Sequence, residues 1–349
     1  MGIFTTRSKE GAGFKPDSTH LKTWAKERAG LKPARAFSMD KKSKILIVGH
    51  NDIIENSLFS YFQSNGFKDV LSSSMISLDC LSQSSVHRLF EKKRFDFIFL
   101  ASARSGGIAA NQKFAAEFIY SNLESQNNII HAASQFGVKK LLFFAGSCVY
   151  PKECPQPIKE EYLLTGPLEP TSEPYSIAKI AGIKLCQSYK RQYGFNAVAA
   201  IPSTVYGPGS DVDLETAHVL GALIGKFYEA ATKNEDKVIV WGTGMPRREF
   251  IYADDFVDAC IFLITRYNDV EMINVGCGYD VSIRELAELI KSISGFKGQV
   301  IFDTTKPDGT LKKLMDHSRI TQLGWKPRVD LKEGITKTYR WYAQTKKKG

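Results

Sequence analysis

From Lys44 onward the chain alternates short, wholly apolar runs with amphipathic stretches of a dozen or more residues, a rhythm that few folds accommodate. Lys44-Ile45-Leu46-Ile47-Val48-Gly49 is apolar at successive positions, which suits a parallel strand covered on both faces, and it ends in glycine. A helical pattern follows as far as Phe62, then a second strand over 69–73. Further strands are predicted over 95–101, 140–146 and 197–201, with helices over 122–136 and 175–193. Strands linked through helices run parallel, so the pattern predicts an α/β fold: a doubly wound, Rossmann-like parallel sheet with its ligand at the strands' carboxyl ends. Three segments result: a basic N-terminal extension over 1–43, a dinucleotide-binding domain over 44–207, and mainly a substrate lobe over 208–349, parts of which return to the sheet.

Composition excludes several classes. No apolar run approaches the roughly 18 residues that span a bilayer, so no membrane span is expected. The six cysteines have neither zinc-site spacing nor the density of a small secreted framework, which points to a reducing, cytoplasmic setting and no metal. Of the formal charge of +10, the segment up to Lys44 holds +7, from eleven basic and four acidic residues. The basic balance therefore belongs to a tail and not to a nucleic-acid groove. That tail has four readings: a flexible arm, an N-myristoylation signal at Met1-Gly2-Ile3-Phe4-Thr5-Thr6, an organelle-targeting segment, or an arm that clasps a protein partner.

Tyr175 and Lys179 stand four residues apart, on one face of a predicted helix. A phenol ordinarily loses its proton near pH 10, so acid-base work at neutral pH calls for a neighbouring ammonium. The pair follows, by one strand-helix unit, the segment Gly146-Ser147-Cys148-Val149-Tyr150-Pro151, which lies where a strand ends and active-site loops begin.

These segments, together with Ser105-Gly-Gly-Ile108, Asn128 to Ala133, Leu168-Glu-Pro-Thr, Glu173 to Cys186, Tyr206-Gly-Pro, Trp241-Gly, Arg248-Glu-Phe, Asp254-Asp255, Ile273-Asn-Val-Gly and Lys306-Pro-Asp-Gly-Thr310, resemble GDP-L-fucose synthase, an extended short-chain dehydrogenase/reductase family, over about 44–342. The resemblance implies a GDP-4-keto-6-deoxy-hexose substrate, inverted at C3 and C5 and then reduced at C4 with NADP(H). By resemblance the acid-base pair for inversion is Cys148 and His218, and the reduction is served by Tyr175, Lys179 and a serine, Ser147. The implied cofactor residues are Gly49, Asn51, Ala101, Lys179, Pro202 and Val205; those for the GDP-sugar are Lys226, Trp241, Arg248, Asp308 and Lys313. A homodimer through a helix bundle containing the Tyr-Lys helix is implied as well.

Three positions depart from the family pattern. Its first turn reads Gly-x-x-Gly-x-x-Gly, whereas this chain has Gly49, Asp52 and Glu55, so two carboxylates stand where a dinucleotide's phosphates approach. Leu71-Ser72-Ser73-Ser74 offers neither an arginine for a 2′-phosphate nor an acid for a ribose, and the family's catalytic serine falls on Gly146. Two alternatives to the full activity therefore stand: an epimerase without reduction, or a non-catalytic structural subunit anchored by its arm.

Overall fold

The computed structural model describes residues 38–348 except 51, 102, 214–216 and 307. The myristoylation, targeting and partner readings of the extension, and Asn51, lie outside the described residues.

The six-stranded parallel sheet runs in the order β10-β5-β4-β3-β1-β2, where β1 is Lys44–Val48, β2 Asp69–Ser72, β3 Phe97–Leu100, β4 Lys140–Phe144, β5 Ala197–Pro202 and β10 Ile273–Val275. β3 and β5 are apolar throughout, and β1 and β4 are so after their first lysine, because both faces are covered. Leu46, Val48, Leu141 and Phe143 join one core, Ile45, Ile47, Leu142 and Phe144 the other. On the first face lie α2 (Gln83–Lys92), α4 (Ala115–Gln135) and α5 (Glu173–Tyr193), with the short α3 (Ile108–Lys113) leading into α4; on the second lie α1 (Ile53–Ser64) and α7 (Ala253–Arg266). α4 begins at Ala115 and not near 122, because Ser121, Asn122, Ser125 and Gln126 are buried polar residues that blur the apolar stripe.

A third core belongs to the second lobe, built from α6 (Val219–Lys233), α8 (Ile283–Ser294), α10 (Leu331–Lys348) and short strands β6 (Thr204–Tyr206), β7 (Lys237–Trp241), β8 (Arg247–Arg248), β9 (Phe250–Tyr252), β11 (Val281–Ser282), β12 (Gln299–Asp303) and β13 (Lys312–Lys313). β10 and α7 return from this half of the chain to the main sheet, as does Ile320 of α9 (Ser318–Gln322). In a sheet of this kind a ligand's crevice lies at the carboxyl ends of β1, β3, β4 and β5.

Candidate active site

Seating of the Tyr-Lys helix depends on Gly182. A Cβ there would collide with the Phe143 ring and lie 2.8 Å from Gln126 Oε1, so only glycine lets α5 lie flush on β4 and α4. Gln126 Nε2 donates to the Ala178 carbonyl at 2.7 Å and fixes the register. One turn of helix carries Tyr175 and Lys179 into the cleft floor. Lys179 is buried, its ammonium 4.8 Å from the Phe143 ring centroid and 6.0 Å from that of Tyr175. Burial lowers its pKa from 10.5 to about 8, against the opposing pull of Cys148 and Asp52. Burial likewise raises Tyr175 well above its ordinary value of 10.0, helped by Cys148 and Asp52, so the phenol holds its proton and is a donor.

Beyond β4 the chain stays extended through Gly146 (φ −141°, ψ 161°) and then tightens into a 3₁₀ turn over Ser147–Val149. Strand alternation ends at that turn, so it does not govern where Ser147 points. A side chain at position 146, in contrast, would face the catalytic groups: its Cβ would lie 3.6 Å from Cys148 Sγ and 3.7 Å from Tyr175 Oη. Tyr150 anchors the loop by donating to Asn274 Oδ1 at 2.6 Å, while Asn274 donates to the Ile158 and Asp316 carbonyls and, through its backbone, to Glu160. Two distant motifs, Cys-Val-Tyr-Pro and Ile-Asn-Val-Gly, therefore form one buried network. His218 stands immediately before α6 and is exposed. Burial lowers its pKa below 6.5, and its charged neighbour is Asp211.

The next wall is cationic. Arg248 on β8 pairs in register with Lys313 on β13. Burial lowers the pKa of both; Asp308 draws Arg248 back up, and Cys148 draws Lys313 back up against the repulsion of Arg248. Two cations opposed in neighbouring strands are unfavourable without an anion between them. Arg248 is aimed by bonds from Nη1 to the Arg247 and Thr310 carbonyls, at 2.8 and 2.5 Å. Nearby, Trp241 exposes 64% of its surface with two ammonium groups over it, Lys226 at 5.6 Å and Lys306 at 5.5 Å. Lys306 was not among the expected residues; its place beside Trp241 comes from a loop contact that spacing does not reveal. Lys226 donates to the Ile239 carbonyl at 2.8 Å. Asp308 accepts from the Thr243 backbone N at 2.9 Å and from its hydroxyl at 2.6 Å, so it fixes the Trp241-Gly242-Thr243 turn.

The first turn is rebuilt around its two carboxylates. Asp52 is the N-cap of α1 and accepts from the Glu55 backbone N at 2.9 Å, taking the helix-terminus donor that otherwise suits an anion. Burial raises its pKa. Glu55 is almost fully buried and lies against Gly49, where an added Cβ would be 2.6 Å from its own. Its Oε1 accepts from the Ser72 hydroxyl, from the Ser74 hydroxyl at 2.7 Å and from the Ser74 backbone N at 3.3 Å. The end of β2, Leu71 to Ser74, has no acid of its own, and α1 brings the Glu55 carboxylate to its serines.

Among the described residues, Cys148 lies close enough to influence the charge of Tyr175, Lys179 and Lys313, and Asp52, on the side of the first turn, that of Tyr175 and Lys179. Ala101 and Pro202 close the ends of β3 and β5, and Val205 lies half-buried on β6. A nicotinamide dinucleotide fits this floor at its reactive end, where Gly146 leaves the space before Tyr175 open.

The family model described as NAD dependent epimerase/dehydratase family matches residues 45–276. GDP-L-fucose synthase 1 of Arabidopsis thaliana is 47% identical over 303 residues, covering 87% of this chain and 94% of that protein. GDP-L-fucose synthase of Escherichia coli strain K12 is 43% identical over 312 residues, covering 87% and 97%. Among solved structures, a GDP-mannoheptose C4 reductase from Campylobacter jejuni with NADP bound has a TM-score of 0.82 at 37% identity, over 88% of this chain and all of that one (100%). With this fold, this Tyr-Lys floor and this likeness over most of its length, the chain belongs to the GDP-L-fucose synthase family of NAD dependent epimerase/dehydratases.

Proposed function

We propose that this chain inverts C3 and C5 of a GDP-4-keto-6-deoxy-hexose and reduces its C4 ketone. The observation that carries the reading is the pairing of β8 with β13, which sets Lys313 opposite Arg248 with Cys148 near enough to draw on its charge, so that an anion-binding wall meets the acid-base floor. A diphosphate between Arg248 and Lys313 relieves their repulsion and places the attached sugar over Cys148 and Tyr175. Trp241, flat and exposed between Lys226 and Lys306, suits a purine base.

Protons at C3 and C5 are acidic because each carbon adjoins the C4 ketone. Removal by one group gives an enolate on the sugar, and return of a proton to the opposite face inverts the centre. Cys148 takes one face; His218, whose pKa lies below its ordinary value, takes the other. Once bound, the nicotinamide cofactor supplies a hydride to C4. Tyr175 gives its proton to the C4 oxygen, and the Lys179 ammonium stabilises the phenolate left behind. The backbone at Gly49, Ala101, Pro202 and Val205 would line that cofactor, NADP(H) in the family at large. The pairing of α4 with α5, which leaves Tyr120 and Ile177 exposed, supports a homodimer through that face, to be checked by solution mass.

The test is a Tyr175→Phe variant given the keto sugar in deuterated water. Solvent exchange at C3 and C5 is expected to continue while reduction falls by about 10³-fold. Loss of exchange together with reduction argues against separate machinery for the two steps.

A further inference from the structure

The positive charge of the chain is gathered at the amino ends of the strands, away from the Tyr-Lys floor. Four neighbouring strands, in the order β4-β3-β1-β2, are entered from the segments 136–139, 91–96, 38–44 and 65–69. Together these segments hold eight basic residues, all exposed and one to three in each, against four acidic ones. Residues 1–37, outside the described ones, join the chain at Ser38, inside this face, and bring eight basic and three acidic residues more. The arm thus holds +5 and the four segments +4 of the formal +10, which leaves +1 for the rest of the chain.

Hydrogen bonds tie the four segments side by side. The Lys68 backbone N donates to the Lys41 carbonyl at 3.3 Å, that of Lys44 to Asp96 Oδ2 at 2.8 Å and that of Lys139 to the Asp96 carbonyl at 2.9 Å, while Arg94 Nη1 reaches the Phe136 carbonyl at 3.4 Å. Asp96 also pairs with the Lys139 ammonium at 2.8 Å, and Asp40 accepts from the Lys42 backbone N at 2.9 Å. Two of the four acids are therefore spent on holding the segments, and the cations around them face water. Four adjacent strand ends make a front about 15 Å wide. It stands about 15 Å from the carboxyl ends, the length of a five-residue strand such as β1, which exceeds a Debye length at physiological salt. Charge placed there does not steer an anionic substrate into the cleft.

We infer that this face docks on an anionic lipid surface and leaves the cleft turned to solvent. Cations on four adjacent strand entries form a broad front, which suits a leaflet met end-on, and each basic residue brought near such a leaflet contributes about fivefold to binding. Between its basic residues the arm places Phe4, Phe14, Trp24 and Phe37, aromatic side chains suited to the boundary between headgroups and acyl chains. Among the described residues no helix is long and apolar enough to cross a membrane, so the attachment is to the surface.

The experiment is co-sedimentation of the full-length protein with vesicles of phosphatidylcholine, alone or with about 30% phosphatidylserine. Binding is expected to the anionic vesicles only, and to weaken by at least about tenfold between about 0.05 and 0.5 M salt. Lys42→Glu combined with Lys93→Glu, on two of the four segments, should weaken it by at least about tenfold. Lys297→Glu combined with Lys332→Glu, an equal change of net charge at exposed positions elsewhere, should weaken it by about twofold or less. GDP titration shows that both double variants are folded, and vesicle-bound protein is expected to bind GDP as the free protein does. Equal binding to the two kinds of vesicle overturns the inference. So does an equal loss in the two double variants, which would reduce the attraction to net charge. Loss of GDP binding on the vesicles would put the cleft against the lipid and overturn the orientation. Capture by RNA or by polyglutamate, with none by anionic vesicles, would give the face to another kind of partner and sink the lipid reading.

Discussion

Replacing Gly146 by serine is expected to raise the rate of C4 reduction. The site is already shaped for a side chain: the backbone is extended at φ −141° and ψ 161°, and a Cβ would make ordinary van der Waals contact with Cys148 Sγ at 3.6 Å and Tyr175 Oη at 3.7 Å. A serine hydroxyl, about 1.4 Å beyond Cβ, then comes within hydrogen-bond reach of the Tyr175 phenol and of a ketone oxygen bound against it. One well-placed donor to oxygen that gains charge in the transition state contributes about 10²–10³ in rate, and a donor installed by substitution, without tuned surroundings, about 10–10². Serine at an unstrained extended position also limits the unfolded chain, so stability should hold or rise by about 0.5 kcal/mol. The assay is single-turnover reduction with NADH and NADPH in turn, with thermal unfolding alongside. If Gly146→Ser folds, binds substrate and reduces no faster than wild type, position 146 is not the missing donor. A loss on Ser147→Ala would then place that role one residue later.

Lys313→Met should weaken GDP binding by about 10–100-fold in titrations, yet leave the unliganded protein as stable or more so, because it removes a buried charge facing Arg248. Cys148→Ser should reduce solvent deuterium exchange by at least about 10²-fold while GDP affinity stays within about threefold, as read by NMR and calorimetry. Lys179 supplies a pH test. Its folded pKa of about 8 lies below the unfolded value of 10.5, so between them the unfolded chain binds more protons and stability climbs as pH rises through that window. Lys179→Met should flatten the climb in urea midpoints measured across the window. Buried Lys140, lowered to about 7, is common to both proteins and cancels in the difference.

The sheet was legible in the sequence because strands buried on both faces run apolar at successive positions, as β3 does throughout and β1 and β4 do after their first lysine. The Tyr175-Lys179 pair was legible because helix spacing alone puts both on one face. Contacts made across the fold were not. A carboxylate in place of glycine is visible at Glu55, but its bond to Ser72 joins α1 to β2 across seventeen positions, and nothing local says which way the side chain turns. Arg248 and Lys313 could each be singled out as a cation, yet their opposition follows from the pairing of β8 with β13. Asp308 read as a substrate ligand, and its bonds to Thr243, sixty-five positions away, give it a part in holding the Trp241 turn.

The most direct test of the account gives the purified chain GDP-4-keto-6-deoxy-D-mannose in deuterated water, with NADH and separately NADPH, and reads the sugar by NMR. Expected are solvent deuterium at C3 and C5 and protium from the cofactor at C4. A sugar recovered with its C3 and C5 protons intact and its C4 ketone unreduced, from protein that is folded and binds GDP, would contradict it.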